Sequence, residues 1–120
     1  MKKNSTPSNG FDTYAEVNLR NLKHNYNIIR RASNEKNAAR DTKICSVVKA
    51  NAYGHGMTRV AEELIDCGTE YLGTAFLTES VELREHLNLK MKDANILCLG
   101  TLTEDKEHFK DVIQNSIEVT

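Results

Sequence analysis

The chain has 120 residues, 16 basic and 17 acidic, for a formal net charge of -1. That length suits one small domain, and the balanced charge offers neither the basic stripe of a nucleic-acid binder nor the cationic amphipathic helix of a membrane-surface protein. No apolar run approaches a membrane span, and polar Asn4–Gly10 after Met1-Lys2-Lys3 excludes the apolar core of a signal peptide.

Residues 1–10 read as a disordered tail, polar and holding the only proline, Pro7, ahead of a domain over 11–120. Tyr14–Val17 alternates as a short strand. Asn18 is placed to cap a helix running to about Arg31, with Leu19, Leu22, Tyr26 and Ile29 as its apolar stripe. Asn34–Asp41 is a polar connection.

A regular alternation begins after it. Lys43–Val48 predicts a strand, Ala50–Gly56 a loop, and Met57 to Cys67 a helix striped by Met57, Val60, Ala61, Leu64 and Ile65, with Gly68 as its stop. Tyr71–Ala75 predicts a second strand. Thr78 then caps a helix carrying Val81 and Leu87, with Glu79 well placed in its first turn. Asn95–Leu99 predicts a third strand, closed by Gly100. Thr103 caps a further helix, with Glu104 and Asp105 in its first turn and Phe109, Val112 and Ile113 inside. Ile117–Thr120 begins a fourth strand. This rhythm predicts an α/β chain with a parallel sheet, either open and doubly wound or part of a barrel. A complete (β/α)8 barrel takes about 250 residues, so the chain is read as the opening part of a longer protein.

The chemistry concentrates in Val47-Val48-Lys49-Ala50-Asn51-Ala52-Tyr53-Gly54-His55-Gly56. Lys49 ends an apolar strand where βα loops carry the sites of barrels and open α/β sheets. Burial of its stem favours the neutral amine, which suits Schiff-base chemistry. The loop has neither a Walker A ending nor GxGxxG spacing. His55 reads as a structural loop residue. His24, His55, His86 and His108 lack metal-ligand spacing, so no metal is expected. Glu62, Glu63, Glu79, Glu82 and Glu85 receive no catalytic role, and Glu82 with His86 reads as a solvated i,i+4 pair. Cys45, Cys67 and Cys98 show no CxxC spacing and read as buried thiols of a reducing compartment, which sets the cytoplasm as the expected location.

Taken whole, Val47–Gly56 resembles the cofactor-lysine motif of the alanine racemases, pyridoxal-phosphate enzymes of fold-type III. The AYGHG continuation separates it from related barrels such as amino-acid decarboxylases. Glu16–Leu19 with Leu22–Tyr26, Gly73–Ala75 with Glu79–Arg84, and Ile96–Gly100 resemble further family segments in the expected order. The resemblance implies the N-terminal part of a (β/α)8 TIM-type barrel, incomplete in this chain, that interconverts L-alanine and D-alanine. Lys49 would carry pyridoxal 5'-phosphate through a Schiff base and act as one of two bases. Tyr53 would hydrogen-bond the cofactor phosphate. In the family the opposing base is a tyrosine of the partner subunit's C-terminal domain, which implies that it lies beyond Thr120 here, with most other cofactor contacts. The resemblance further implies a homodimer supplying D-alanine for the cell wall. A serine or broad-specificity racemase, or a fragment without activity of its own, are the alternatives. Asn51 stands where many relatives have aspartate.

Overall fold

The structure is a computed structural model that describes residues 14–35, 42–102 and 106–120. In chain order the elements are α1 (Leu19–Glu35), β1 (Cys45–Val47), α2 (Lys49–Tyr53), α3 (Met57–Asp66), β2 (Tyr71–Thr74), α4 (Leu77–Leu89), β3 (Asn95–Cys98), α5 (Lys106–Gln114) and β4 (Ile117–Val119). The four strands form one sheet in the order β1-β2-β3-β4, and every pairing is parallel. The order never doubles back. Right-handed crossovers that always advance in one direction lay all their helices on one face, as in a barrel wall; a doubly wound sheet reverses and has helices on both. The structure thereby decides between the two closures left open by the sequence.

The register explains which residues form the core. Ser46, Leu72, Ile96 and Ile117 lie in one cross-strand row. Leu72 and Ile96 have no exposed surface and pack with Tyr26, Val60, Ala61, Leu64, Leu83 and Leu87 from the helices. The next row, Val47, Gly73, Leu97 and Glu118, points to the other face. Burial of the helix-side row drives association of the two layers, at about 25 cal/mol per Å² of apolar surface removed from water.

Helix ends follow local chemistry. Asn18 caps α1 as expected: its Oδ1 accepts the amides of Arg20 at 3.1 Å and Asn21 at 3.2 Å. Gly68, at φ +87°, closes α3 in a Schellman motif, its amide donating to Ile65 O and that of Thr69 to Leu64 O.

Several expectations are corrected. Tyr14–Val17 is not a strand; no strand among the described residues pairs with it, and alternation without a ladder partner does not make one. Ile29 of the α1 stripe is 58% exposed, because α1 seats itself on α3 through Leu22 and Tyr26. Thr78 does not cap α4: Phe76 is the N-cap, and Thr78 lies one residue inside the helix's first position. No residue of α5 is buried, and Ile113 is 77% exposed. The expected tail at 1–10, the end of the Asn34–Asp41 connection and the cap at Thr103 lie outside the described residues. Among the described residues, no helix is long and apolar enough to cross a membrane.

Candidate active site

The C-terminal end of β1 runs directly into the lysine. The Val48 amide donates to Gly73 O at 2.8 Å, extending the ladder by one residue, and the Val48 side chain is fully buried. At Val48 the backbone turns (φ -119°, ψ 15°), so Lys49 leaves the sheet at the strand tips. Lys49 is half-buried, and among the described residues its amine has no carboxylate partner. A lysine without a counter-ion keeps its amine available for chemistry; one locked in an ion pair does not.

The segment expected as a loop is instead one turn of helix with the opposite hand. Ala50, Asn51, Ala52 and Tyr53 all have φ between 50° and 55°, and Gly54 follows at 86°. Each non-glycine residue held there costs roughly 1–2 kcal/mol, from contact between Cβ and the following carbonyl. A set of backbone and side-chain hydrogen bonds offsets that cost. Ala52 N–H donates to Val48 O at 2.8 Å, His55 N–H to Ala52 O at 3.1 Å, and Gly56 N–H to Asn51 O at 3.0 Å. The Ala52 side chain is buried in the core. Asn51 Oδ1 accepts the Met57 amide at 2.8 Å and so caps the start of α3 from six residues upstream. The Ala50 amide is taken by a residue distant in sequence: Glu79 Oε1 accepts it at 2.8 Å.

His55 has the structural role expected of it. Its Nδ1–H donates to Ala52 O at 2.9 Å, which fixes the ring against the turn. Tyr53 is 61% exposed. With His55, Leu22, Tyr26, Ile44 and Val47 it lines a groove of about 680 Å³ between α1 and the edge of β1. Lys49 is not among the residues lining that groove.

Two carboxylates behave differently from their sequence reading. Glu79, expected only as a favourable acid in the first turn of α4, joins the lysine turn to the β2–α4 junction, where its Oε2 accepts the Ala75 amide at 2.8 Å. An acid at the third position of a helix reaching back to the amides before it is a legible signal; its second bond, to Ala50, is not. His86 does not pair with Glu82. Its Nε2 lies 2.7 Å from Oε1 of buried Glu62, on the neighbouring helix.

A parallel sheet that advances strand by strand, with its helices on one face and a lysine at the tip of its first strand, defines part of a TIM-type barrel wall with its candidate site at the C-terminal strand ends. Comparison with known proteins narrows this. Residues 17–120 match the family described as alanine racemase, N-terminal domain, and the chain belongs to that family. It is 44% identical over 89 residues to the alanine racemase of Geobacillus stearothermophilus, covering 74% of this chain and 21% of that protein. It is 35% identical over 108 residues to that of Staphylococcus saprophyticus, covering 90% of this chain and 25% of that one. Among solved structures, alanine racemase of Clostridium difficile 630 superposes with a TM-score of 0.74 at 39% identity, over 89% of this chain and 25% of the other. The alanine racemase of Bartonella henselae, solved with covalently bound pyridoxal phosphate, gives 0.67 at 26% identity, over 86% of this chain and 27% of that one. The chain thus spans about a quarter of the length of the relatives it matches.

Proposed function

We propose that the protein to which this chain belongs is a pyridoxal-phosphate-dependent alanine racemase and that Lys49 is its cofactor lysine. The observation that carries the reading is half-buried Lys49 at the tip of β1, its amine without a carboxylate partner among the described residues. That donor fits the cofactor: an amine free of an ion pair can condense with an aldehyde, and covalent attachment of pyridoxal phosphate in the Bartonella henselae relative supports the assignment. When bound, pyridoxal phosphate supplies an electron sink that lets an amino acid release its α-proton.

The chain's own residues would do the rest. Lys49 Nζ takes or returns the proton on one face of the α-carbon. Racemisation needs a second base on the opposite face, supplied from outside this chain. Tyr53, exposed on the turn that follows Lys49, would help hold the cofactor by donating its hydroxyl hydrogen to the phosphate. Residues 11–120 are the N-terminal portion of the barrel domain, in a cytoplasmic homodimer that supplies D-alanine to the cell wall. The free thiols suit that reducing compartment, although only Cys98 is buried as expected: Cys67 is half-buried and Cys45 exposed.

The test uses the full-length protein loaded with pyridoxal phosphate. Borohydride reduction followed by peptide mapping should place a phosphopyridoxyl group on Lys49; an adduct on any other lysine overturns the assignment. Lys49→Arg should abolish both the visible absorption and the labelling, because a guanidinium is too basic and delocalised to condense with the aldehyde.

A further inference from the structure

Glu79 makes three bonds that no ordinary helix acid makes together. Its Oε2 accepts the amides of Ala75 at 2.8 Å and Phe76 at 3.4 Å, across the β2–α4 junction. Its Oε1 accepts the amide of Ala50 at 2.8 Å, 29 residues away. Among the described residues no cation pairs with it, so its charge is met by backbone amides alone. Capping of α4 explains the bonds to Oε2. It gives no reason for the bond to Ala50.

The base from which Glu79 reaches is rigid. The next residue, Ser80, is fully buried. Its Oγ donates to Phe76 O at 3.2 Å and lies 2.6 Å from Thr74 Oγ1, which donates to it at the end of β2. What Glu79 holds is equally specific. The Ala50 N–H belongs to the peptide plane whose carbonyl is that of Lys49. Fixing that plane fixes ψ of Lys49, and with it the direction in which the lysine side chain departs. Ala50 is also the first of the four left-handed residues, so the bond sits where the chain changes hand.

We propose that Glu79 is the positioning residue for Lys49, its carboxylate clamping the Lys49–Ala50 peptide to the start of α4 so that the amine is aimed before any cofactor arrives. The proposal rests on the assignment of Lys49 as the cofactor lysine. It requires a carboxylate in particular. Two oxygens accept amides from two different junctions, whereas a glutamine offers one oxygen and, in place of the other, a second donor.

The experiment uses the full-length protein with Glu79→Gln, and Arg84→Lys as a control at the opposite strand ends, where Arg84 binds Asn115 O and Ala94 O. In cofactor-free protein, amide exchange at Ala50 is expected to accelerate by about tenfold or more in Glu79→Gln, the loss of a charge-assisted bond, while Val48 stays within about twofold. The pyridoxal phosphate concentration giving half-maximal borohydride labelling of Lys49 should rise by about tenfold for the same reason. At saturating cofactor, kcat should fall while KM for alanine stays within about twofold, as for a lost alignment rather than lost ground-state binding. Should Glu79→Gln fail to fold, Glu79→Asp keeps the charge, shortens the reach by one methylene and is expected to lose the same labelling. Unchanged Ala50 exchange and labelling overturn the proposal. So does an equal labelling loss in Arg84→Lys at matched Tm, which would assign the effect to general stability. Wild-type labelling at another lysine would overturn the Lys49 assignment instead, and Ala50 exchange would still report whether Glu79 holds the turn.

Discussion

Asn51 shows how much one side-chain oxygen does in the lysine turn. Its Oδ1 accepts the Met57 amide at 2.8 Å, and its carbonyl accepts that of Gly56, so it ties the left-handed turn to the start of α3. An aspartate presents the same oxygen. In the full-length protein, Asn51→Asp should leave urea-unfolding stability within about 0.5 kcal/mol, while Asn51→Ala should lower it by about 1 kcal/mol as a lost cap. Gly100 is constrained by space: a Cβ built there would meet Ala75 O at 2.1 Å. Gly100→Ala must push apart the ends of β2 and β3, and an overpacking loss of about 1–3 kcal/mol is expected in the same measurement. At this scale the sequence offers Lys49 and Tyr53 as candidates through a contiguous motif. It concealed Glu79, because the partner of its second oxygen is 29 residues distant, and it concealed the left-handed backbone, because three of the four residues in it are not ones that favour that region.

The elements were legible to the degree that each is stabilised locally. The stripe of α3 was read almost residue for residue, and Gly68 ends that helix through a motif built from neighbouring residues. The charged faces were not legible, since a helix sequence does not reveal which neighbour lies across from it. Glu62 and His86 illustrate this. Glu62 on α3 is buried, receives the His86 ring of α4 at 2.7 Å and Arg59 at 2.7 Å, and welds two adjacent helices. The hydrogen bond from His86, helped by Arg59, holds the Glu62 carboxyl below its ordinary value of 4.5 against the opposing effect of burial. A carboxyl depressed in the folded state stabilises fully above its unfolded value, and that contribution is lost as pH falls through the lower, folded value. As pH falls from about 5, through the unfolded value and on through the lower folded one, the full-length protein should lose urea-unfolding stability with a component that Glu62→Gln removes. Identical slopes in both proteins would show that the α3–α4 contact does not depend on this ionisation.

For the whole molecule, the register and the helix layer have a consequence beyond the site. Helices cover the row through Leu72 and Ile96, but among the described residues nothing covers the opposite face, where Val47 is 39% and Leu99 41% exposed. Among the same residues, the outer edges of β1 and β4 pair with no strand. Their free amides and carbonyls form a template for another strand, and an apolar sheet face beside them favours self-association. In a chain four times as long, barrel closure would consume both edges and cover the face. A polypeptide ending at Thr120 and produced alone is therefore expected to associate into oligomers by light scattering and to bind a hydrophobic dye. It should show no alanine racemisation in a chiral assay, because it contains one candidate base and the reaction needs two. The two halves of that expectation have separate causes. Capping the edges with charged residues, such as Val119→Lys on β4, should reduce association without restoring activity. Racemisation by the monomeric 120-residue polypeptide would show that the second base lies within these residues and would overturn its assignment to a part of the protein outside them.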